Sequence, residues 1–516
     1  TTSSCHCVGV TGPVSNVLFH HSKIMAPETG TAGSCCPIGT ASATAATDKG
    51  NIAAAVDRLH FVGNTISGGC RTIFLNGSST NHLTNIRVDS NQIVMGYDQD
   101  LNLAYCDTLS VQMNRISPRP GINQNHQGVT ISNCAVESIC RNFINFNDVT
   151  YSAPTGLVLN INNCTPASGK RFLIANNVVI GKVAVGYNSS IGNVVTLNNN
   201  QADFFHNSIL NNRVTTNTTY SVNCLNLTGA SSDIQAIGNQ LVTIDRNEFP
   251  LRIDASITTY FTDYNNYWSD SGNVARDGSS SYATVAALQA VTGGDKYSVS
   301  IAPQFADLAQ GLQISNFPAF AIVPNLGVNT DYQGVPRGKT SIIGAYTAAS
   351  LDAALTDYAK TDFSANQSGV NDLYVTLQNA GLDTLTAATI FWNDGTMQKY
   401  PWSGKLTPGA VDTVKIGQFK PVAGSFYHVR AWVADPNNGQ DGFNGNDTIE
   451  TTQFVCKGAL AGDYAIGKGL DFANLDEAFI ALKACGISAP VRLMLTAGTY
   501  NPLTISGTIT GASSKN

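Results

Sequence analysis

The side chains able to do chemistry are few and scattered. Charged and ionisable groups gather weakly at Asp98 and Asp100, at Arg115 and Arg119, and at Lys170, Arg171 and His206. Cleaving an acidic polysaccharide requires an Arg or Lys base beside a calcium site, and hydrolysing a glycoside requires two carboxylates at a fixed separation. The sequence holds no Asp-Asp pair, no Gly-His-Gly and no Asp-Pro-His, so these charges read as solvated turn faces. Gly-x-Ser-x-Gly, the P-loop and the dinucleotide fingerprint are also missing from it. The expectation is a chain that is not an enzyme. One stretch does offer hard oxygen ligands. Asp435-Pro436-Asn437-Asn438-Gly439-Gln440-Asp441 places oxygens at alternate positions, with Asn446 and Asp447 close behind. Asp435, Asn437, Asp441 and Asp447 therefore make a candidate Ca²⁺ site. The loop lacks the bidentate Glu of an EF-hand, and Asx-rich turns also form without metal. No other cofactor is implied.

The elements that would carry such groups announce themselves by repetition. An apolar residue, a spacer, Asn, any residue and a branched apolar residue recur around Asn64, Asn91, Asn114, Asn177, Asn207, Asn239 and Asn266, with weaker copies at Asn133 and Asn163. A short strand plus a turn, repeated in order, predicts a solenoid in which no coil buries its apolar face alone but the stack does. Asn suits the bend between strands, where its amide can bond the Asn of the next coil as a ladder. A β-sandwich with Asn-rich turns is the competing reading.

Composition narrows the class. The chain has 516 residues, enough for two or three domains, and only 12% are charged, about half the usual share. Forty-seven glycines and abundant Asn, Thr and Ser suit extended structure with tight turns. A net charge of −6 gives no electrostatic draw to nucleic acid or to an anionic membrane, and no apolar run is long enough to span a bilayer. Twelve cysteines without zinc spacing point to disulfides in an oxidising compartment. A metal reading of Cys5, His6, Cys7, His20, His21, Cys35 and Cys36 competes weakly, because these lie on an irregular Ser/Thr/Gly-rich stretch. Cys134 and Cys164 share a phase directly after Asn133 and Asn163, which predicts stacked neighbours.

Read along its length, the chain divides into 1–350, a β-helix with irregular first coils over 1–58 and a short helix near 51–59; a linker over 351–370; a sandwich over 371–455; and a cap over 456–516. Residues 282–292 read as a helix and 296–346 as further strands. Alternating strands such as NDLYVTLQNAG and FYHVRAWVAD, with Trp392, Trp402 and Trp432 as packing, mark the sandwich. After Cys456, Leu475, Ala478, Phe479 and Leu482 share one helical face, with Asp476 and Glu477 in the first turn and Gly486 at the end. Two strands are expected to follow.

These segments resemble known modules. The stretch 282–346, with Thr292-Gly293-Gly294-Asp295, Asp331-Tyr332-Gln333-Gly334-Val335-Pro336-Arg337 and Ile343-Gly344-Ala345-Tyr346, resembles the closing region of right-handed parallel β-helix repeat proteins of Bacteroidota. Residues 371–455, with Asn379-Ala380-Gly381, Trp392 and Gly404-Lys405-Leu406, look like a CARDB-type immunoglobulin-like module. Residues 458–512, with Gly462-Asp463-Tyr464, Asp471-Phe472, Cys485-Gly486 and Gly498-Thr499-Tyr500, resemble the N-terminal cap that precedes such β-helices. The fold class implied is all-β: a right-handed parallel β-helix, an immunoglobulin-like β-sandwich and a short α/β cap of a following β-helix.

In those families the modules recur in giant, secreted cell-surface proteins of the gliding and adhesin kind, exported by the type IX system. The function implied is a structural repeat of an extracellular filament or adhesin whose partner is its own next copy, head to tail, with extracellular glycans or surfaces as further partners. Tandem repeats of one polypeptide and separate subunits both fit. A β-helix that binds or degrades polysaccharide, with the sandwich as accessory, is the alternative. Cys456 and Cys485 are expected to pin the cap helix to the sandwich. Asp-Thr-aliphatic triplets at Thr108, Thr384, Thr413 and Thr448 resemble the short O-glycosylation signal of Bacteroidota envelope proteins. The cap strands hold Val491, Leu493, Leu495, Leu503, Ile505 and Ile509, a face expected to be covered by a following coil.

Overall fold

The computed structural model describes residues 5–513 apart from 32–34, 42–50, 53, 123–125, 148–156, 168, 170, 182–190, 213–220, 245–247, 271, 307, 309–310, 315–316, 360–369 and 501–506. The chain forms two compact units, Thr1–Thr347 and Ala348–Asn516.

The first unit is a parallel β-helix. Its strands fall in rotation onto three long sheets, the third of which has nine strands, one per coil. Neighbouring coils pair in parallel and in register. In the third sheet Ile24, Ile66, Ile93, Ile116, Ile144, Val179, Ile209, Leu241 and Tyr267 lie one above another. All point into a single buried core. Stacking like on like makes each coil the floor of the next, which is how an apolar alternation too short for an independent sheet becomes a continuous core.

The corners explain the repeated Asn. The residue that precedes each stacked Asn is left-handed: Gly63, Ser90, Met113, Arg141, Asn176, His206, Gly238 and Tyr264 all have φ between 53° and 72°. For a residue with a side chain that conformation costs about 1–2 kcal/mol. The stack that follows offsets the cost. Asn91 donates from its backbone N–H (3.0 Å) and its Nδ2 (3.1 Å) to Asn114 Oδ1, while Nδ2 also reaches Phe61 O at 2.8 Å. The same three bonds recur at Asn114, Asn142, Asn177, Asn207 and Asn239.

Two details differ from the sequence expectation. The last member is Asn265, not Asn266, because Tyr264 is the left-handed residue there. Asn266 lies in the strand Asn266–Ser269, and its amide clasps the backbone of Ile301 at both N–H and C=O. Asn142 is a further member.

Asn133 and Asn163 do not belong to this stack. They are left-handed residues at the other corner, where the next side chains point inward: Cys106, Cys134, Cys164 and Asn200. There Cys106 N–H bonds Cys134 Sγ, and Cys164 N–H bonds Asn200 Oδ1. Cys134 and Cys164 are stacked neighbours with free thiols.

The first coils are regular where described. Cys5–Val10, Val14–His20 and Lys23–Met25 each enter one of the three sheets, and Val56–Val62 is a strand where a short helix is expected. Ile52, Val56 and Leu59 turn into the solenoid core, so tertiary packing overrides a weak helical pattern. At the far end Val285–Thr292 is a helix that sinks Leu288 into the core. The described residues of 296–346 are mainly irregular rather than further strands. They lie over the outer face of the third sheet, where Leu312, Ala345 and Tyr346 cover Phe143, Val178, Ile180, Leu210 and Val242. The buried Arg337 ties that tail down by donating to Asn176 Oδ1 (2.8 Å) and Gly344 O (2.9 Å).

The second unit is a sandwich with a cap. Its sheets are antiparallel: Ala353–Leu355, Asn371–Asn379 and Val411–Phe419 in one, and Met397–Leu406, Leu385–Asn393, Ser425–Ala434 and Thr448–Val455 in the other. Ala353–Leu355 lies within the stretch expected to be a linker; its backbone bonds make it the entry strand of the sandwich. Trp392 and Trp402 are buried in the core, and Trp432 stacks on Phe391. In the cap, Leu460–Ile466 and Ile487–Leu495 pair in parallel, joined through the helix Leu475–Cys485. Asn474 caps that helix by accepting from Glu477 N–H, and Glu477 accepts in return from Ala473 N–H. A disulfide joins Cys456 to Cys485, and Phe454 of the sandwich packs against Phe472 of the cap.

Candidate functional site

The polar groups of the β-helix are consumed by its architecture. Asp98 pairs with Arg71. Asp100, expected on a solvated turn, is fully buried and takes a 2.8 Å bond with His126 Nε2. Burial opposes charging His126, but Asp100 beside it raises the imidazole pKa overall. Arg171 is held by Asp203 and Asp233. His206 is also fully buried, and burial together with Arg337 keeps its imidazole neutral. Lys170 lies outside the described residues. Of the N-terminal Cys/His group, Cys35 is disulfide-bonded, while the side chains of Cys5 and His6 lie outside the described residues. Arg119 donates to Gly30 O and Gly69 O, and together with Arg115 it lines a groove of about 400 Å³ on the outer face of the third sheet, with Gln92, Ser117, Phe143 and Asn145. The Arg115 guanidinium sits over Phe143 at 4.4 Å.

The sandwich holds the denser constellation. Three carboxylates, Asp352, Asp441 and Asp447, bring oxygens within 4.8 Å of one another. Two segments supply them, the approach to the entry strand and the loop between Ser425–Ala434 and Thr448–Val455. Asp352 immediately precedes the entry strand. Asp441 lies in the loop after Ser425–Ala434, and Asp447 immediately precedes Thr448–Val455. The backbone fixes two of these positions: Asp441 accepts from Ala353 N–H and Phe443 N–H, and Asn446 O accepts from Leu355 N–H. Asn446 Nδ2 donates to Asp352 Oδ1 at 3.0 Å. Asp447 is only 8% exposed, and its Oδ1 has no partner. Burial, with Asp441 and Asp352 nearby, pushes the Asp447 carboxyl up to about 7. Burial and Asp441 push Asp352 up to about 6, against the Asn446 hydrogen bond.

This set corrects the four residues expected from the loop. Asp441 and Asp447 converge. Asp435 does not join them; it is exposed with a left-handed backbone. Asn437 is spent elsewhere: Oδ1 accepts from Thr386 N–H and Ala387 N–H, and Nδ2 donates to Thr384 O, clamping the loop to Leu385–Asn393. Asp352 has no local signal in the sequence, since it lies 94 residues from its partner Asn446.

The third feature is a pair of one-sided sheet ends. Cys5–Val10, Val14–His20 and Lys23–Met25 are the terminal strands of their sheets, and Leu18 and Met25 on them are 55% and 52% exposed. In the cap, Ile487–Leu495 pairs among the described residues with Leu460–Ile466, plus one bond from Ile487 N–H to Thr510 O. Met494 and Leu495 there are 50% and 49% exposed, whereas Val491, Leu493 and Ile509 pack against the cap core. Leu503 and Ile505 lie outside the described residues. Of the four threonines in Asp-Thr triplets, Thr413 and Thr448 are exposed and Thr108 and Thr384 are half-buried.

No protein-family model and no curated protein matches the sequence. Among solved structures, the chain is similar to the CARDB domain of a Pyrococcus furiosus protein crystallised in complex with di-metal ions. The identity is 16% and the TM-score 0.17, over 21% of this chain and 89% of that one. A likeness so distant carries no role and no metal site across to this chain.

Proposed function

We propose that this chain is a structural unit of an extracellular filament or adhesin, in which the cap of one copy seats the first coil of the next. The observation that carries the reading is the match between two one-sided parallel sheet ends. Parallel sheets are normally covered on every side, and a bare strand edge with exposed apolar residues invites another strand. Among the described residues, Ile487–Leu495 is the outer strand of the cap's parallel ribbon, and Cys5–Met25 forms the terminal coil of the β-helix. One surface meets a different one, so the contact is heterologous and propagates instead of closing. Disulfide chemistry at Cys456–Cys485 and Cys35 accords with an oxidising, extracellular setting. No helix among the described residues is long and apolar enough to cross a membrane. The resemblance to Bacteroidota surface modules makes type IX export the route we propose, and Thr413 and Thr448 the best-exposed candidates for O-glycosylation.

The test is assembly. Sedimentation and negative-stain imaging of the purified chain, and of a covalent two-copy fusion, should show concentration-dependent linear association of single chains and added stability per copy in the fusion. Leu18→Asp with Met25→Lys, both at exposed positions, should abolish both effects. A single chain monomeric at all concentrations, together with a fusion that melts like two independent copies, would refute the reading.

The groove beside Arg115 supports a second reading, a surface that holds acidic glycan. Its measure is binding of an acidic polysaccharide that disappears in Arg115→Ala; equal binding by both proteins removes it.

A further inference from the structure

We propose that Asp352, Asp441 and Asp447 form a site for one hard divalent cation, Ca²⁺, which locks the sandwich's entry strand to the loop that precedes its last strand. The argument begins with distance. A Ca²⁺ ion sits 2.3–2.6 Å from its oxygens, so ligands on opposite sides of one ion are about 4.6–5.2 Å apart. The three carboxylates already lie within 4.8 Å of one another. None is offset by a cation of the protein: among the described residues no ion pair reaches Asp352, Asp441 or Asp447, and the only side-chain donor to any of them is the neutral Asn446.

The second observation is independent of that spacing. Asp447 is more than nine-tenths buried, and its Oδ1 is orphaned. Buried carboxylate oxygens without a partner are rare, because the lost hydration must be replaced by something. Asn446 Oδ1 is likewise buried without a partner, although its Nδ2 is engaged. Turning that amide over would withdraw the donor from Asp352 and present a fourth oxygen. Three carboxylates and an amide, one set by the approach to the entry strand and three by a single loop 94 residues away, give an irregular oxygen cage. Ca²⁺ accepts irregular, flexible coordination; Mg²⁺ demands a near-ideal octahedron and gives up water reluctantly.

The structural consequence follows from where the ligands are attached. Asp352 leads directly into Ala353–Leu355, a strand of three residues held by the neighbouring Asn371–Asn379 and by bonds from Ala353 and Leu355 to the loop. An ion joining Asp352 to Asp441 and Asp447 fastens the first strand of the sandwich to the approach of its last. That is the place where a short edge strand otherwise has least to hold it.

The experiment uses the full chain after chelation, titrated with CaCl₂. Calorimetry should find one ion per chain, and the unfolding transition reported by Trp392, Trp402 and Trp432 should move up by several degrees. Magnesium at equal concentration should move it less. Asp441→Asn and Asp447→Asn should fold, by circular dichroism and tryptophan emission, and lose the calcium shift; Asp435→Asn should keep it. Should one of the cluster variants not fold, Asp352→Asn supplies the same readout. The proposal is overturned if the wild-type chain shows no calcium response, or if folded cluster variants respond as the wild type does.

Discussion

The asparagine stack of the β-helix and the aspartate cluster of the sandwich are both rows of buried polar side chains, and they differ in how their atoms are satisfied. In the stack each interior amide both gives and receives. Asn177 Oδ1 accepts from Asn142 N–H and Nδ2, while its own Nδ2 donates to Ile139 O and Asn207 Oδ1. The ends are closed as well: Ser22 N–H meets Asn64, and Asn265 meets Ser298 and the Tyr267 hydroxyl, both bonded to Asp295. In the cluster, three like charges face one another and one oxygen of Asp447 has no partner. A buried polar array whose atoms all pair internally is architecture; an array of one charge sign that leaves an oxygen over is shaped for something outside the chain.

The contrast is sharpest at the centre of the stack. Asn177→Ala should strand Asn142 N–H, one hydrogen of Asn142 Nδ2 and Ile139 O in a dry interior, at a cost of about 3–5 kcal/mol. Asn177→Asp should be at least as damaging, since it removes the donor and adds a charge. Asn64→Ala, next to the first coil, orphans Ser22 N–H and Phe19 O, leaves Asn91 Oδ1 with the Asn64 backbone N–H, and should cost about 1–2 kcal/mol. Denaturant unfolding of the three variants measures the gradient. Equal costs at Asn64 and Asn177 would mean that the stack is not a cooperative unit.

This stack was largely legible in the sequence, because a corner repeated once per coil must repeat its residues. The slip at Asn266 and the omission of Asn142 share a physical cause. The true marker is the left-handed residue before the Asn, and that position holds Gly only at Gly63 and Gly238. With Arg141 or Tyr264 there, no residue type betrays the backbone conformation. The cluster was half legible. Asp441 and Asp447 lie in one acidic loop, but Asp352 is brought to them by sheet pairing across the sandwich. A strand as short as Ala353–Leu355 has too little alternation to be told from linker.

Between the two extremes lies the buried pair Asp100–His126, where the polar groups carry opposite charge. Asp100 raises the His126 imidazole against the opposition of burial, so the folded chain holds that proton more tightly than the unfolded one does. The sign follows by linkage: the pair's stabilisation is complete below pH about 6.5 and is lost as pH rises through the folded-state value. The β-helix transition should therefore fall in temperature between pH 6 and pH 9. His126→Gln should flatten that dependence while lowering the transition at pH 6. A transition that does not move with pH in the wild-type chain would place the pair with the neutral, fully satisfied stack.

The smallest expected effect reverses the rule of the stack and for that reason discriminates best. Replacing a buried polar residue usually destabilises, yet Asp447→Asn should stabilise the sandwich when chelator is present. Asn keeps the volume of Asp and one carbonyl oxygen, removes one of three mutually repelling charges, and offers donors to Asp441 or Asp352. At neutral pH, where burial already holds the Asp447 carboxyl up at about 7, the charge is only partly present. The gain should therefore be modest, on the order of 1 kcal/mol in urea unfolding at pH 7.5, and should shrink toward pH 5 as the carboxyl is protonated in the wild-type chain. With saturating calcium the order should invert, because only the wild-type carboxylate can bind the ion and draw stability from it. A loss of stability in chelator would show that Asp447 is already satisfied in the folded sandwich, and the distinction between architecture and site drawn from its orphaned oxygen would fall with it.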